Sequence, residues 1–130
     1  MMMTMGQGAL KSSSMKQKIN TRSSTEAELV AVDDMISSIV WTKNFLIAQG
    51  YDLKDNILFQ DNTSAIKLEE NGRKSIGKRS RHLNIRLFFI TDQVEKGNVS
   101  IEYCPTTKMK ADYFTKALQG NKFKQLRKEI

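Results

Sequence analysis

The sequence is short of the residues that cross-link, kink or anchor a chain. It contains one cysteine, Cys104, one proline, Pro105, and one histidine, His82. A lone cysteine excludes an internal disulfide, and nothing around it has the spacing of zinc ligands. No apolar run reaches the length of a membrane span, and residues 1–5 have neither the basic region nor the apolar core of a signal peptide. These absences predict an intracellular chain with no membrane partner.

Acidic residues are scarce relative to basic ones. There are 21 Lys and Arg but only 14 Asp and Glu, so the net charge is +7 and the pI is about 9.6. This excess favours a polyanionic partner, nucleic acid before membrane, because no long apolar run exists. The hydrophobic content of 39% is ordinary for a globular chain. A length of 130 residues allows one domain with a buried core.

Hydrophobic periodicity and turn residues divide the chain into alternating strands and helices. Gly6 and Gly8 indicate a hairpin turn near the start, and Ile57–Gln60 has the length of a buried strand. A half-buried strand is predicted at 99–104. Helices are predicted at 25–49, 63–70, 80–96 and 108–116. The buried face of the first helix is predicted to contain Leu29, Val32, Ile36, Ile39, Val40, Leu46 and Ile47. The order of elements predicts an α/β fold.

Three acids stand at or near the first turn of a predicted helix: Glu28, Asp61 and Asp112. Asp61 and Asp112 also follow strands, and open α/β sheets hold their ligands at the carboxyl ends of strands. Each acid has a structural alternative, because a carboxylate at a helix start serves as a cap or offsets the helix dipole. Glu26 is the better candidate for the dipole role, since helical geometry turns it toward solvent and leaves Glu28 at the edge of the apolar face.

Carboxylates gathered at one place repel one another unless a cation neutralises them. Mg²⁺ is the fitting ion because it is hard and takes oxygen ligands. Two such ions about 3.5–4 Å apart activate a water and stabilise the leaving oxygen in phosphodiester cleavage. Glu28, Asp61 and Asp112 are therefore candidate catalytic residues and metal ligands for two Mg²⁺ ions, with Mn²⁺ as an alternative.

A basic segment follows the helix that begins after Asp61. Its cations have no acid among them and are candidates for phosphate contact: Arg73, Lys74, Lys78, Arg79, Arg81 and Arg86. The alternative is a solvated surface, which is the usual role of a charge run. His82 lies in the same segment, and a structural hydrogen-bonding role is preferred for it because no metal-ligand spacing surrounds it.

Five short motifs occur once each along the chain. They are Ser23-Ser24-Thr25-Glu26-Ala27-Glu28-Leu29, Gln60-Asp61-Asn62-Thr63-Ser64-Ala65-Ile66, Arg81-His82-Leu83-Asn84-Ile85-Arg86, Glu102-Tyr103-Cys104-Pro105-Thr106 and Ala111-Asp112-Tyr113-Phe114-Thr115-Lys116. In this order and spacing they resemble the ribonuclease H domain of copia-type retrotransposon polyproteins, over about residues 5–128. Each motif alone is a weak signal, whereas five together are specific.

The resemblance implies a ribonuclease H-like fold, which is a mixed five-stranded sheet with helices on its faces. It implies an endonuclease that uses two Mg²⁺ ions to cut the RNA strand of an RNA–DNA hybrid. Glu28, Asp61 and Asp112 match three of the family's metal-binding carboxylates. The family's first strand carries a further catalytic Asp, and no acid precedes Glu26 here. The first strand and its carboxylate are therefore expected to be missing. Ala117 stands where the family commonly has proline.

The resemblance also sets expectations for the whole chain. An incomplete ribonuclease H-like domain is expected at 1–118 and a basic tail at 119–130, and the chain alone is expected to be inactive. The expected partners are RNA–DNA hybrid or other nucleic acid, and the upstream reverse transcriptase portion of the same polyprotein. The expected location is a cytoplasmic virus-like particle or the nucleus. The alternative is a catalytically inactive, basic nucleic-acid-binding remnant. A phosphoacceptor role for Asp61 is disfavoured because the companion acids expected ahead of it are absent.

Overall fold

The computed structural model describes residues 1–6, 8–18, 20–21, 23–71 and 81–129. The chain divides into two compact units. The central unit is Ile19–Tyr103, and the terminal unit joins Met1–Lys18 to Cys104–Ile130. Each unit contains helices and one pair of strands, so the predicted α/β class is confirmed.

Nine helices and strands follow one another in the described part of the chain. They are β1 (Met2–Thr4), β2 (Ala9–Ser12), α1 (Ser24–Ala48), β3 (Ile57–Gln60), α2 (Thr63–Asn71), α3 (Arg81–Glu95), β4 (Ser100–Tyr103), α4 (Asp112–Thr115) and α5 (Gly120–Glu129). A short 3-10 turn, Thr106–Lys108, precedes α4. The first three predicted helices and both predicted strands of the central unit are confirmed to within a residue at each end.

The central unit contains a parallel pair of strands, β3 and β4, joined by α2 and α3. Successive side chains of a strand point to opposite faces. In β3, Leu58 and Gln60 are buried while Ile57 and Phe59 are exposed. Since α2 contacts both strands, the buried face of this pair is the one that faces the helices.

Helix α1 begins where Ser23 caps it. The Oγ of Ser23 accepts a hydrogen bond from the backbone N–H of Glu26 at 3.2 Å, which is the arrangement of a preferred N-cap residue. Just beyond the helix, Gly50 has a φ of 87°, a left-handed conformation that glycine adopts without steric cost. The buried residues of α1 recur at helical spacing. They are Leu29, Val30, Val32, Ile36 and Ile39.

The predicted buried face of α1 is wrong at its carboxyl end. Ile47 is 49% exposed, and Leu46 is only half-buried. The helix has 25 residues, whereas α3, which packs against it, has 15, so the shorter helix cannot cover the longer one. In this uncovered part Trp41 is 65% exposed and stacks on Phe45 with ring centroids 5.3 Å apart.

Polar contacts hold α1 and the α3–β4 region together. The guanidinium of Arg86 bonds to the carboxylates of Asp33 and Asp34, and Lys43 Nζ donates to the carbonyl of Gly97 at 2.9 Å. Burial raises the pKa of Asp33 above its usual value, and the positive charge of Arg86 opposes that rise. Both contacts join residues more than 50 positions apart, so they fix the packing of the central unit.

The terminal unit contains the predicted hairpin. Strands β1 and β2 pair in antiparallel fashion, with Met2 opposite Ser12 and an irregularity between Met3 and Thr4. Gly6, in the connection, has a φ of 86°, which only glycine adopts readily. The described strands thus form two separate two-stranded sheets, and the single five-stranded sheet is not seen among them.

The helix predicted at 108–116 is wrong in its first half. Met109 has φ −71° and ψ 99°, which is extended backbone and ends the 3-10 turn. Helix α4 therefore starts only at Asp112 and lasts one turn. A short turn of this kind cannot be distinguished from the start of a longer helix by composition alone.

The stretch expected as a basic tail at 119–130 forms helix α5, which packs within the terminal unit. Leu126 is 3% exposed, and Phe123 stacks on Tyr113 with ring centroids 5.3 Å apart. Helix α5 therefore belongs to the terminal unit, and the division into 1–118 and 119–130 stays a prediction. None of the described helices is long and apolar enough to cross a membrane.

Candidate metal-binding carboxylates

Asp61 lies at the carboxyl end of β3, where the chain turns into α2. The side chain of Gln60 is buried, and its Oε1 accepts the backbone N–H groups of Asp61 at 2.9 Å and Asn62 at 3.2 Å. The cap of α2 is Asn62, whose Oδ1 accepts from the N–H groups of Ser64 at 3.0 Å and Ala65 at 3.2 Å. The structural alternative for Asp61, a helix cap, is therefore taken by its neighbour.

Glu28 lies in the first turns of α1, directly before the buried stripe that begins at Leu29. Glu26 and Glu28 are both half-buried, so exposure does not separate the two acids as the sequence predicted. Their surroundings do separate them. The backbone N–H of Glu26 takes part in the cap of α1, whereas the charge of Glu28 acts on a buried carboxylate of α2, Glu69.

Glu69 is a buried acid that the sequence analysis missed. Its side chain is fully buried, and within the described residues neither carboxylate oxygen has a hydrogen-bond partner. Burial, followed by the negative charges of Glu28 and Glu70, raises its pKa to about 7. Burial therefore favours the protonated form of the Glu69 carboxyl.

A signal for Glu69 exists in the sequence. Ala65 and Glu69 are one helical turn apart, so they share a face of α2, and both are fully buried. The backbone carbonyl of Glu69 also accepts the hydroxyl of Thr91 at 3.0 Å, which joins this face to α3. Extending the apolar face of α2 by one turn from Ala65 would have placed an acid in the core.

Asp112 is the first residue of α4 and is 5% exposed. Its Oδ2 lies 2.8 Å from Nζ of Lys116, one turn later, and 3.9 Å from Nζ of Lys122 on α5. Two ammonium groups thus offset the charge of a buried carboxylate, as burial of a charge requires. A metal ion at Oδ2 of Asp112 would compete with the closer of them.

The three predicted ligands are distributed over both units. Glu28 and Asp61 belong to the central unit, and Asp112 belongs to the terminal unit. Among residues 1–6, 8–18, 20–21, 23–71 and 81–129, no three His, Cys, Asp or Glu side chains form a group that could hold a metal ion. The ligand roles of Glu28, Asp61 and Asp112 therefore stay predictions from the sequence.

Most of the predicted phosphate-contacting residues lie outside the described part of the chain. Arg73, Lys74, Lys78 and Arg79 fall in 72–80, and the side chains of Arg81 and His82 are likewise outside it. Arg86 is described, and its guanidinium bridges Asp33 and Asp34. Its charge is therefore offset within the central unit, which weakens Arg86 as a candidate for phosphate contact.

Proteins similar to this chain are known from plants. It is 32% identical over 127 residues, 98% of its length, to the retrovirus-related Pol polyprotein from transposon TNT 1-94 of Nicotiana tabacum. It is 33% and 32% identical over 119 residues, 91% of its length, to the corresponding polyproteins from transposons RE1 and RE2 of Arabidopsis thaliana. The chain resembles one part of a retrotransposon Pol polyprotein.

These relatives are much longer than the chain. The matched region is 9% of the TNT 1-94 polyprotein and 8% of the RE1 and RE2 polyproteins. No family model matches the chain, and no solved structure matches it. The similarity supports a copia-type polyprotein fragment, which the five motifs predicted.

Proposed function

We propose that the chain is the ribonuclease H portion of a retrotransposon Pol polyprotein, and that the intact domain cuts the RNA strand of RNA–DNA hybrids. The observation that carries the proposal is the position of Asp61. It is a carboxylate at the end of a parallel strand, where α/β sheets hold ligands, and the adjacent helix is capped by Asn62 instead. The five motifs support the same assignment, and the similar plant polyproteins support its coarser part, a retrotransposon Pol polyprotein.

In this proposal Glu28, Asp61 and Asp112 hold two Mg²⁺ ions together with the Asp of the upstream strand. Carboxylate oxygens are the donors that Mg²⁺ prefers. The described residues do not gather them into a metal group, so the site is ascribed to the intact domain. When bound, the ions supply an activated water and stabilise the leaving oxygen. The buried amide of Gln60 holds the turn that carries Asp61, through its bonds to the backbone at Asp61 and Asn62.

The alternative is an inactive, basic remnant that binds nucleic acid without cutting it. The environment of Asp112 favours this alternative, because Lys116 and Lys122 already neutralise its carboxylate. A metal ion would have to compete with an ammonium group that is covalently held one helical turn away. Under the alternative, binding to nucleic acid does not depend on divalent ions.

Cleavage of a labelled RNA–DNA hybrid over a Mg²⁺ and Mn²⁺ series tests the proposal. Residues 1–130 are compared with the same chain extended upstream through a strand that carries the Asp. We expect the extended chain to cut and residues 1–130 alone to bind without cutting. In the extended chain, Asp61→Asn should abolish cleavage and leave the circular dichroism spectrum intact. Asp52→Asn is the matched control, since Asp52 is an exposed acid in the connection before β3.

Each other result bears on a different part of the proposal. Cleavage that survives Asp61→Asn would remove the metal role of Asp61. Binding without cleavage by the extended chain would favour the inactive remnant. Strong cleavage by residues 1–130, lost in Asp112→Asn, would show that three carboxylates are sufficient and that the expected dependence on the upstream Asp is wrong.

A further inference from the structure

The excess positive charge of the chain is confined to the terminal unit. Met1–Lys18 and Cys104–Ile130 contain ten Lys and Arg against two Asp and Glu, a net charge of +8. The central unit, Ile19–Tyr103, contains 11 against 12, a net charge of −1. The basic segment 73–86, which the sequence analysis singled out, belongs to this unit of net charge −1. The terminal unit has no such balance.

Helix α5 displays part of this charge on one exposed face. Lys124, Arg127 and Lys128 are exposed and lie three and four residues apart, which places them on the same side of the helix. Leu126 is buried, and at about 100° per residue its side chain points away from that side. The contact of Phe123 with Tyr113 further fixes which side faces outward.

The helix dipole explains only part of this arrangement. Basic residues in the last turn of a helix interact favourably with its negative end, and Arg127 and Lys128 lie there. Lys124 lies in the middle of α5, beyond the range of that effect. The dipole also does not account for a net charge of +8 over the whole unit.

We propose that the outer face of α5, formed by Lys124, Arg127 and Lys128, binds the phosphate backbone of nucleic acid. A row of exposed cations on a fixed helix complements a polyphosphate and needs no base contacts. An anionic membrane is a poorer fit, because a helix that binds lipid inserts an apolar face. In α5 Leu126 is buried in the unit and Phe123 is stacked on Tyr113. The proposal shares a partner class with the proposed function and requires neither metal nor cleavage.

Binding of the full chain to a labelled RNA–DNA hybrid in EDTA, measured by fluorescence anisotropy over a salt series, tests this proposal. A variant with Lys124, Arg127 and Lys128 changed to Ala should bind more weakly. Its slope of log affinity against log salt should be shallower by about 2–3, because each lost phosphate contact removes roughly 0.7–0.9. A second variant with Lys124→Arg and Lys128→Arg keeps the charge and should bind like the parent chain.

A control of equal charge loss is available in the central unit. It carries Lys54, Lys67 and Lys96 changed to Ala, all three of which are exposed, and its slope should stay near that of the parent chain. Equal effects of the two triple variants, or no effect of either, would overturn the proposal. So would loss of binding to phosphatidylserine vesicles with unchanged binding to nucleic acid. Because EDTA removes the metal, a failure of cleavage leaves this test unaffected.

Discussion

Glu69→Gln should remove a pH dependence from the stability of the fold. The parent carboxyl has a pKa raised from 4.5 to about 7 in the folded chain, mainly because it is buried. Between these two values the folded state holds a proton that the unfolded state has released. The contribution of Glu69 to the free energy of unfolding is therefore fully present below about pH 4.5. It is lost as the pH rises to about 7. Glutamine has the same shape and cannot lose a proton.

The size of the effect follows from the raised pKa. One pKa unit corresponds to about 1.4 kcal/mol, so a rise from 4.5 to about 7 corresponds to about 3 kcal/mol. The Glu69 side chain is fully buried, so solvent screening does not reduce this figure. For a chain of this size, about 3 kcal/mol is a large fraction of the whole stability.

Urea unfolding of the EDTA-treated chain, followed by circular dichroism at about pH 4 and about pH 8, measures this difference. The stability of Glu69→Gln relative to the parent should rise by about 3 kcal/mol across that interval. Glu28→Gln should remove a smaller part of the pH dependence, and Glu70→Gln less still. The charge of Glu28 raises the pKa of Glu69 more than that of Glu70 does, and both effects are smaller than that of burial. Parallel pH curves for the parent and Glu69→Gln would refute the assignment of a buried, protonated acid.

Two further predictions concern the cap of α2 and the carboxylate of Asp112. Asn62→Ala should lower the free energy of unfolding by about 1 kcal/mol, as loss of a helix cap does, whereas Asn62→Asp should keep most of it. An Asn62→Ala chain as stable as the parent in urea would mean that the cap is not Asn62. Lys116→Met should tighten Mn²⁺ binding in isothermal titration calorimetry, because it removes the ammonium closest to Asp112, and the exposed Lys110→Met should not. Unchanged Mn²⁺ affinity would show that Lys116 does not compete for Asp112.

The strand at Ile57–Gln60 was predicted from local sequence alone, because its apolar run and the polar residues after it set both ends. The cap of α2 could not be predicted in this way, because Asp61 and Asn62 are both good cap residues. The choice between them depends on where the first helical turn closes. That point is set by the bonds from Gln60 Oε1 to the two following N–H groups, which fix the turn ahead of the helix.

Glu69 and Met109 show two ways in which local sequence falls short. Burial of Glu69 arises from the packing of α2 against α1 and α3. Its position one turn after Ala65 indicates that burial, but its charge argues against it, since charged residues are mostly exposed. Met109 is a good helix former, yet its extended backbone separates the 3-10 turn from α4. For Glu69, packing against two other helices overrides the preference of the residue for solvent.

The exposed stack of Trp41 on Phe45 determines what an optical experiment on this chain would report. Trp41 is the one tryptophan in the sequence, and it is 65% exposed at the uncovered end of α1. Its indole is already largely in water in the folded state, so its emission should change little when the core melts. Burial of the same ring by an associating molecule should shift the emission to shorter wavelength. Tryptophan fluorescence of this protein is therefore a sensor of association at the end of α1 and a poor sensor of unfolding.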